Sequence, residues 1–161
     1  MWCIQKIDDE YRLRMYVVLD LYEEEYDPLR PVICMDEKPK QLLGNARKPI
    51  AMMPGKPEKV DYEYTRNGKA NIFIAVEPKG GRRIAQVTRQ RCKVDFALFI
   101  KTVIDHYPDA KLIRIVLDNL NTHKEKSIIE AFGNVEAMKL LERIEFHYTP
   151  KHASWLNAAE I

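Results

Sequence analysis

Tyr11, Met15, Val18 and Tyr22 recur at helical spacing and mark one apolar stripe. They predict a helix that ends before the breakers Asp27-Pro28 and Arg30-Pro31. Val32-Ile33-Cys34-Met35 is a continuous apolar run, the pattern of a strand buried on both faces, and is expected to stop at Asp36. From Glu37 to Pro57 no apolar period is visible and Lys, Arg and Pro recur, which predicts an ordered or semi-ordered loop. Asn67-Gly68 lies between Tyr62-Glu63-Tyr64 and the run Ala70 to Val76, a short-range hairpin signal. Gly80-Gly81 reads as a second turn, leading into a strand over residues 82–87.

Phe96, Ile100, Val103 and Tyr107 form a second helical stripe that stops at Pro108. Ile113 to Leu117 is another buried-type strand, and it too ends in an aspartate, Asp118. Ile128, Ile129 and Phe132 predict a short helix closed by Gly133, with Asn134 capping a further one. Ile144 to Tyr148 alternates like a strand, and Pro150 opens a loop into a last helix near Trp155-Leu156. Hairpin strands beside strands separated by helices imply a mixed α/β sheet covered on both faces.

A length of 161 residues with 46% apolar side chains suits one domain with a real core, and excludes disordered, collagen-like and coiled-coil chains. No apolar run approaches a membrane span, and Met1 to Lys6 is not the start of a signal peptide. Cys3, Cys34 and Cys92 are scattered and odd in number, so they read as reduced thiols of a cytoplasmic protein. The net charge of +2 conceals an asymmetry: residues 1–36 carry −5, residues 37–93 carry +9 and residues 94–161 carry −2. A strongly basic middle third points to a polyanion such as nucleic acid, or else to a solvated loop region.

Two buried-type strands each deliver an aspartate, Asp36 and Asp118, to the carboxyl end where ligands of open α/β sheets bind. On adjacent strands they form a carboxylate pair suited to Mg²⁺ or Mn²⁺; taken singly, each is an ordinary turn former. Asn119 is placed to bond a phosphate or to fix Asp118, and His123 to do either or to contact a scissile-strand oxygen. Alternatively this stretch is a polar turn with Thr122 as the cap of the next helix. Asn157 and Glu160, three apart, would share a helix face, making Glu160 either a third oxygen ligand or a solvated surface residue. His147 and His152 lack the partners that would complete a zinc site.

Cys34 to Lys38, Val116 to His123, and Phe146 to Glu160 occur in that order, and together they resemble the catalytic domain of DDE transposases. The similarity is to bacterial insertion-sequence transposases related to the mariner superfamily, covers nearly everything from Tyr26 onward, and is most specific in the terminal Asn-x-x-Glu. It implies an RNase H-like mixed sheet of about five strands with helices on both faces. It also implies that Asp36, Asp118 and Glu160 are the catalytic carboxylates holding two divalent ions, Mg²⁺ or Mn²⁺, with Asn119, His123 and Asn157 in support. Cleavage and strand transfer of double-stranded DNA, at element ends and in target DNA, follow as the implied activity. Lys38, Lys40, Arg47, Lys48, Arg66, Lys69 and Lys151 are the residues expected to hold its backbones.

A homodimer is implied because two element ends must be paired, as is a cytoplasmic, nucleoid-associated enzyme without membrane contact. The expected division is a lead-in helix over residues 1–30 and a catalytic domain over 31–161. Family members carry a preceding helix-turn-helix region and continue past the glutamate, so this chain reads as a domain cut at both ends. The competing readings are an inactive transposase fragment that binds DNA or a partner, and another RNase H-like nuclease.

Overall fold

The alternation of buried residues along the strands divides the molecule into two apolar layers, one on each face of a five-stranded sheet. The computed structural model describes residues 7–161; Cys3 and the segment Met1 to Lys6 lie outside them. The elements are α1 (Asp9–Glu23), β1 (Val32–Asn45), β2 (Tyr64–Val76), β3 (Arg83–Thr88), α2 (Lys93–Asp105), β4 (Ile113–Leu117), α3 (Glu125–Leu141) and β5 (Ile144–Tyr148). Two short 3-10 turns follow, Ser154–Leu156 and Ala158–Glu160. The strand order is β3-β2-β1-β4-β5, with β1, β4 and β5 mutually parallel and β2 and β3 antiparallel to their neighbours.

Ile33 and Met35 of β1 and Ile113, Ile115 and Leu117 of β4 point into the larger layer, against Phe96, Phe99, Ile100 and Val103 of α2 and Ile128 of α3. Phe73 of β2 stacks on Phe99 with ring centroids 5.3 Å apart. Cys34 and Val116 point the other way, into a smaller layer with Tyr11, Val18 and Leu21 of α1 and Ala153 and Leu156 of the final segment. Each fully buried side chain of this kind contributes about 1.5–3 kcal/mol. The stripe from Tyr11 to Tyr22 therefore seats α1 on the sheet, where its N-terminus is capped by Asp8. Gly133, at φ 76°, breaks the helical path of α3 at the position where the sequence predicts one short helix to end and another to begin.

Three findings correct the expectations between Asp36 and Gly68. First, β1 does not stop at Asp36 but continues to Asn45, pairing with β2 as far as Tyr64. Its outer half is exposed on both faces, so no alternation marks it as a strand. Pro39 is tolerated because β4 pairs with β1 only as far as Cys34. Second, Asn67-Gly68 is not a hairpin turn: it lies inside β2, where both residues stand against Leu42 and the register shifts. That is a β-bulge, with Gly68 at φ 115° supplying the backbone freedom. Third, the reversal falls further out, where Met53 and Lys56 bridge across Pro54-Gly55. Gly80-Gly81 does turn the chain from β2 into β3, with Gly81 at φ 71°.

Candidate active site

β1 and β4 pair in parallel from Val32–Arg114 to Cys34–Val116. Two residues beyond that last pair on each strand stand Asp36 and Asp118, on the face of Cys34 and Val116. Asp36 lies within β1, opposite Ile74 of β2, and Asp118 is the first residue past β4. Glu160 ends the second 3-10 turn, an element that contacts β1 and β2. The Asp36 carboxyl is pushed up from 3.8 to about 6. Burial is the main cause; a backbone hydrogen bond from Glu37 opposes it, and the charges of Glu160, Glu37 and Asp118 add to it.

Asp36, Asp118 and Glu160 are thus electrostatic neighbours at the carboxyl edge of the parallel strands. Their donors are all oxygen, which suits Mg²⁺ or Mn²⁺ over zinc, and a cation there relieves the repulsion that burdens Asp36. Among the described residues, no three His, Cys, Asp or Glu side chains converge closely enough to enclose a metal ion.

Glu160 reaches this edge by a route other than the expected helix. Asn157 has extended backbone between two 3-10 turns, so it shares no helix face with Glu160. Instead its amide donates to the Met35 carbonyl at 2.7 Å, next to Asp36, while its oxygen accepts from the Ala159 N–H. The Tyr22 hydroxyl donates to the Leu156 carbonyl at 2.8 Å and ties the same segment to α1. Asn157 therefore anchors the turn that carries Glu160.

His123 is buried, with Nδ1 2.6 Å from Oδ1 of Asp118 and Nε2 2.8 Å from Oε2 of Glu37. Its ring stacks on Phe96 at 4.8 Å between centroids, and its carbonyl accepts from the Tyr148 hydroxyl. Burial pulls the imidazole pKa down, but hydrogen bonding to Asp118 and Glu37, with their charges, outweighs it and raises the pKa from 6.5 to about 9. Asn119 is exposed in the same loop. Thr122 does not cap the next helix: α3 begins at Glu125 with Lys124 at its cap position. Glu37 is the residue that sequence reasoning missed. Its signal was its place after Ile33 and Met35 in the core-facing alternation, which makes a carboxylate there conspicuous.

The expected DNA-contacting residues are all exposed but form no single surface. Lys38 and Lys40 continue the face of Asp36 along β1. Lys69 and Arg66 pair with Gln41 and Leu43 and so lie on the opposite face. Arg47 is paired with Asp61 at 3.2 Å and Glu63 at 3.7 Å, which occupies its charge. Lys48 lies beyond β1 in the arm, and Lys151 in the loop after β5. A cleft of about 290 Å³ opens elsewhere, at the amino ends of β1 and β4 between Val32, Arg114, Pro78 and Trp155.

A mixed sheet in this order, with helices on both faces and carboxylates at the edge of its central parallel strands, defines an RNase H-like α/β domain. Residues 31–161 match the sequence profile of the DDE superfamily endonucleases, and the chain belongs to that family. Comparison with curated proteins gives no match. Among solved structures, the Mos1 transposase paired-end complex with left transposon end is similar at a TM-score of 0.57 and 11% identity, over 98% of this chain and 47% of that one. The Mos1 mariner paired-end complex with Mn is similar at 0.56 and 14% identity, over 98% and 48%. The Mos1 mariner paired-end complex with Mg is similar at 0.51 and 14% identity, over 94% and 45%. At these identities the likeness is one of fold, and the chain spans about half the length of these neighbours.

Proposed function

We propose that the chain is the catalytic domain of a DNA transposase that cleaves and transfers DNA strands with two divalent ions, Mg²⁺ or Mn²⁺, at Asp36, Asp118 and Glu160. The observation that carries this is the placing of Asp36 and Asp118 at the carboxyl edge of β1 and β4, with Glu160 near enough that its charge, like that of Asp118, adds to the rise in the Asp36 pKa that burial causes. Membership of the DDE endonucleases and the Mn and Mg complexes of the Mos1 neighbours support it. Those neighbours also hold transposon ends, which supports double-stranded DNA as the partner here, and paired ends support a homodimer.

Divalent metal bound at such a site neutralises the anionic phosphodiester and makes water or a 3′-hydroxyl a better nucleophile. Asp36, Asp118 and Glu160 would hold it; His123 Nδ1 lies 2.6 Å from Oδ1 of Asp118, and Asn157 anchors the turn of Glu160. In cleavage a water oxygen bonds to phosphorus, the bond to the 3′ oxygen breaks, and that oxygen leaves as a 3′-hydroxyl. In transfer the 3′-hydroxyl bonds to a target phosphorus and displaces the target's own 3′ oxygen. Lys38 and Lys40, on the Asp36 face, hold the backbone electrostatically whatever its sequence.

The test is nicking of supercoiled plasmid by this chain with Mg²⁺ or Mn²⁺, compared with Asp36→Asn, Asp118→Asn and Glu160→Gln. Each variant is expected to lose about 10²–10³-fold or more in rate. Nicking by Asp36→Asn or Asp118→Asn at the wild-type rate sinks the assignment. DNA binding with no nicking under either ion makes the chain a binding module.

A further inference from the structure

We propose that Glu37 and His123 form a buried strut that sets the position of the Asp118 carboxylate for metal binding, which makes them positioning residues of the active site. The proposal rests on the metal site proposed above.

Asp118 needs such a device. It lies one residue past the end of β4, where the β4–β5 ladder stops at the Leu117–Tyr148 pair, and its side chain is 32% exposed. An aspartate there is free to change rotamer unless something grips it. His123 grips one oxygen, Oδ1, and leaves the other available for a ligand. The residue is held from three elements: Oε2 of Glu37 in β1 stands 2.8 Å from its far nitrogen, Phe96 of α2 covers one ring face, and the Tyr148 hydroxyl of β5 bonds its backbone carbonyl. Glu37 is braced in turn by Arg91, with Nη1 3.6 Å from Oε1.

The chemistry of the pair narrows what His123 can do. Each ring nitrogen faces a carboxylate oxygen, Nδ1 at 2.6 Å and Nε2 at 2.8 Å, and the ring is buried. Neither nitrogen is open to a metal or to a substrate. That removes the ligand and general-base roles and leaves orientation. Burying a carboxylate and an imidazole together is costly beside an apolar pair of the same volume. The arrangement is therefore explained by what it holds. Neighbours of metal ligands with this geometry typically carry about 10–100-fold of the metal affinity.

The test measures Mn²⁺ binding to this chain by calorimetry and by the electron paramagnetic resonance of free Mn²⁺, with folding followed by circular dichroism. The expected pattern is that wild type binds, Asp118→Asn does not, and His123→Ala binds about 10–100-fold more weakly. Glu37→Gln keeps an oxygen acceptor and is expected to bind close to wild type, whereas Glu37→Ala weakens binding. His123→Ala with wild-type affinity beside an inactive Asp118→Asn overturns the strut and leaves the metal site standing. No binding by wild type overturns both. Should His123→Ala not fold, the ring nitrogen resonances of wild type decide. The Nδ1 resonance is expected to move in Asp118→Asn and the Nε2 resonance in Glu37→Gln; resonances that stay unmoved overturn the strut.

Discussion

Asp36 and Glu37 are consecutive residues of β1 whose carboxylates serve opposite faces of the sheet. Asp36 follows Cys34 toward α1 and the 3-10 turns, while Glu37 follows Met35 toward α2 and α3. Alternation separates two acidic groups that look interchangeable in the sequence, and it assigns them different work. Exchanging a carboxylate for its amide at each position should accordingly have different consequences.

At Asp36 the carboxyl is raised from 3.8 to about 6, so between those values the folded state holds its proton more tightly than the unfolded state does. The metal-free chain should then lose stability as pH rises through that interval, and Asp36→Asn should abolish the loss. Solvent screens this half-buried group, so the expected gain at pH 7 in chelator is about 1 kcal/mol. Urea denaturation at pH 3.5 and pH 7 checks it; equal stability of the two proteins at pH 7 would refute the raised pKa of Asp36.

His123 carries a pH dependence in a different window. Its pKa is raised from 6.5 to about 9, so the stabilisation it provides is complete below the lower value and lost as pH rises through the higher one. The stability difference between wild type and His123→Asn should shrink over that interval and stay level below it. Denaturation midpoints at half-unit pH steps read this directly.

The Glu160 segment hangs on two side chains of unequal worth, Asn157 and Tyr22. Asn157→Ala leaves the Met35 carbonyl and the Ala159 N–H without their partner and should cost about 2 kcal/mol, with metal binding weakened further. Tyr22→Phe removes the bond to the Leu156 carbonyl and the contact with Cys34 Sγ at 3.1 Å, and should cost about 1 kcal/mol. Thermal unfolding ranks them, and a larger loss from Tyr22→Phe contradicts the role given to Asn157.

DNA binding should discriminate between the two faces of the β1–β2 arm. Replacing Lys38 and Lys40 by Ala should flatten the plot of log affinity against log salt by about 0.9 for each phosphate that is no longer neutralised. Arg66→Ala and Lys69→Ala, on the other face, should change the slope less. Fluorescence anisotropy on a short duplex from low to moderate salt measures this, and equal effects from both pairs would dissolve the distinction.

Where burial was one-sided or complete, the sequence announced it. Val32 to Met35, Ile113 to Leu117 and the stripe from Phe96 to Tyr107 became β1, β4 and α2 because water exclusion leaves a periodic trace. The outer half of β1 has water on both faces and leaves no trace, so it looked like a loop. Asn67-Gly68 has the composition of a tight turn, but a bulge asks for the same backbone freedom, and only pairing across strands tells them apart. Of the proposed site, Asp36 and Asp118 stand out in the sequence as the residues that follow two apolar runs, and Glu160 by family resemblance. Glu37 does not, because its partner His123 is distant in the chain, and its own charge merges with the basic stretch that follows.

The unbroken run of β1 has a mechanical consequence. The strand that seats Asp36 in the core is also the strand that projects as the arm, with nine residues from Glu37 to Asn45 beyond the aspartate. A ladder of hydrogen bonds to β2 stiffens it, so the arm behaves as a lever with its fulcrum at the carboxylates. The bulge opposite Leu42 interrupts that ladder and is the compliant joint. The inner half of the arm, from Glu37 to Gln41, is therefore continuous with Asp36 through an unbroken ladder, and the outer half is joined to it only across the bulge.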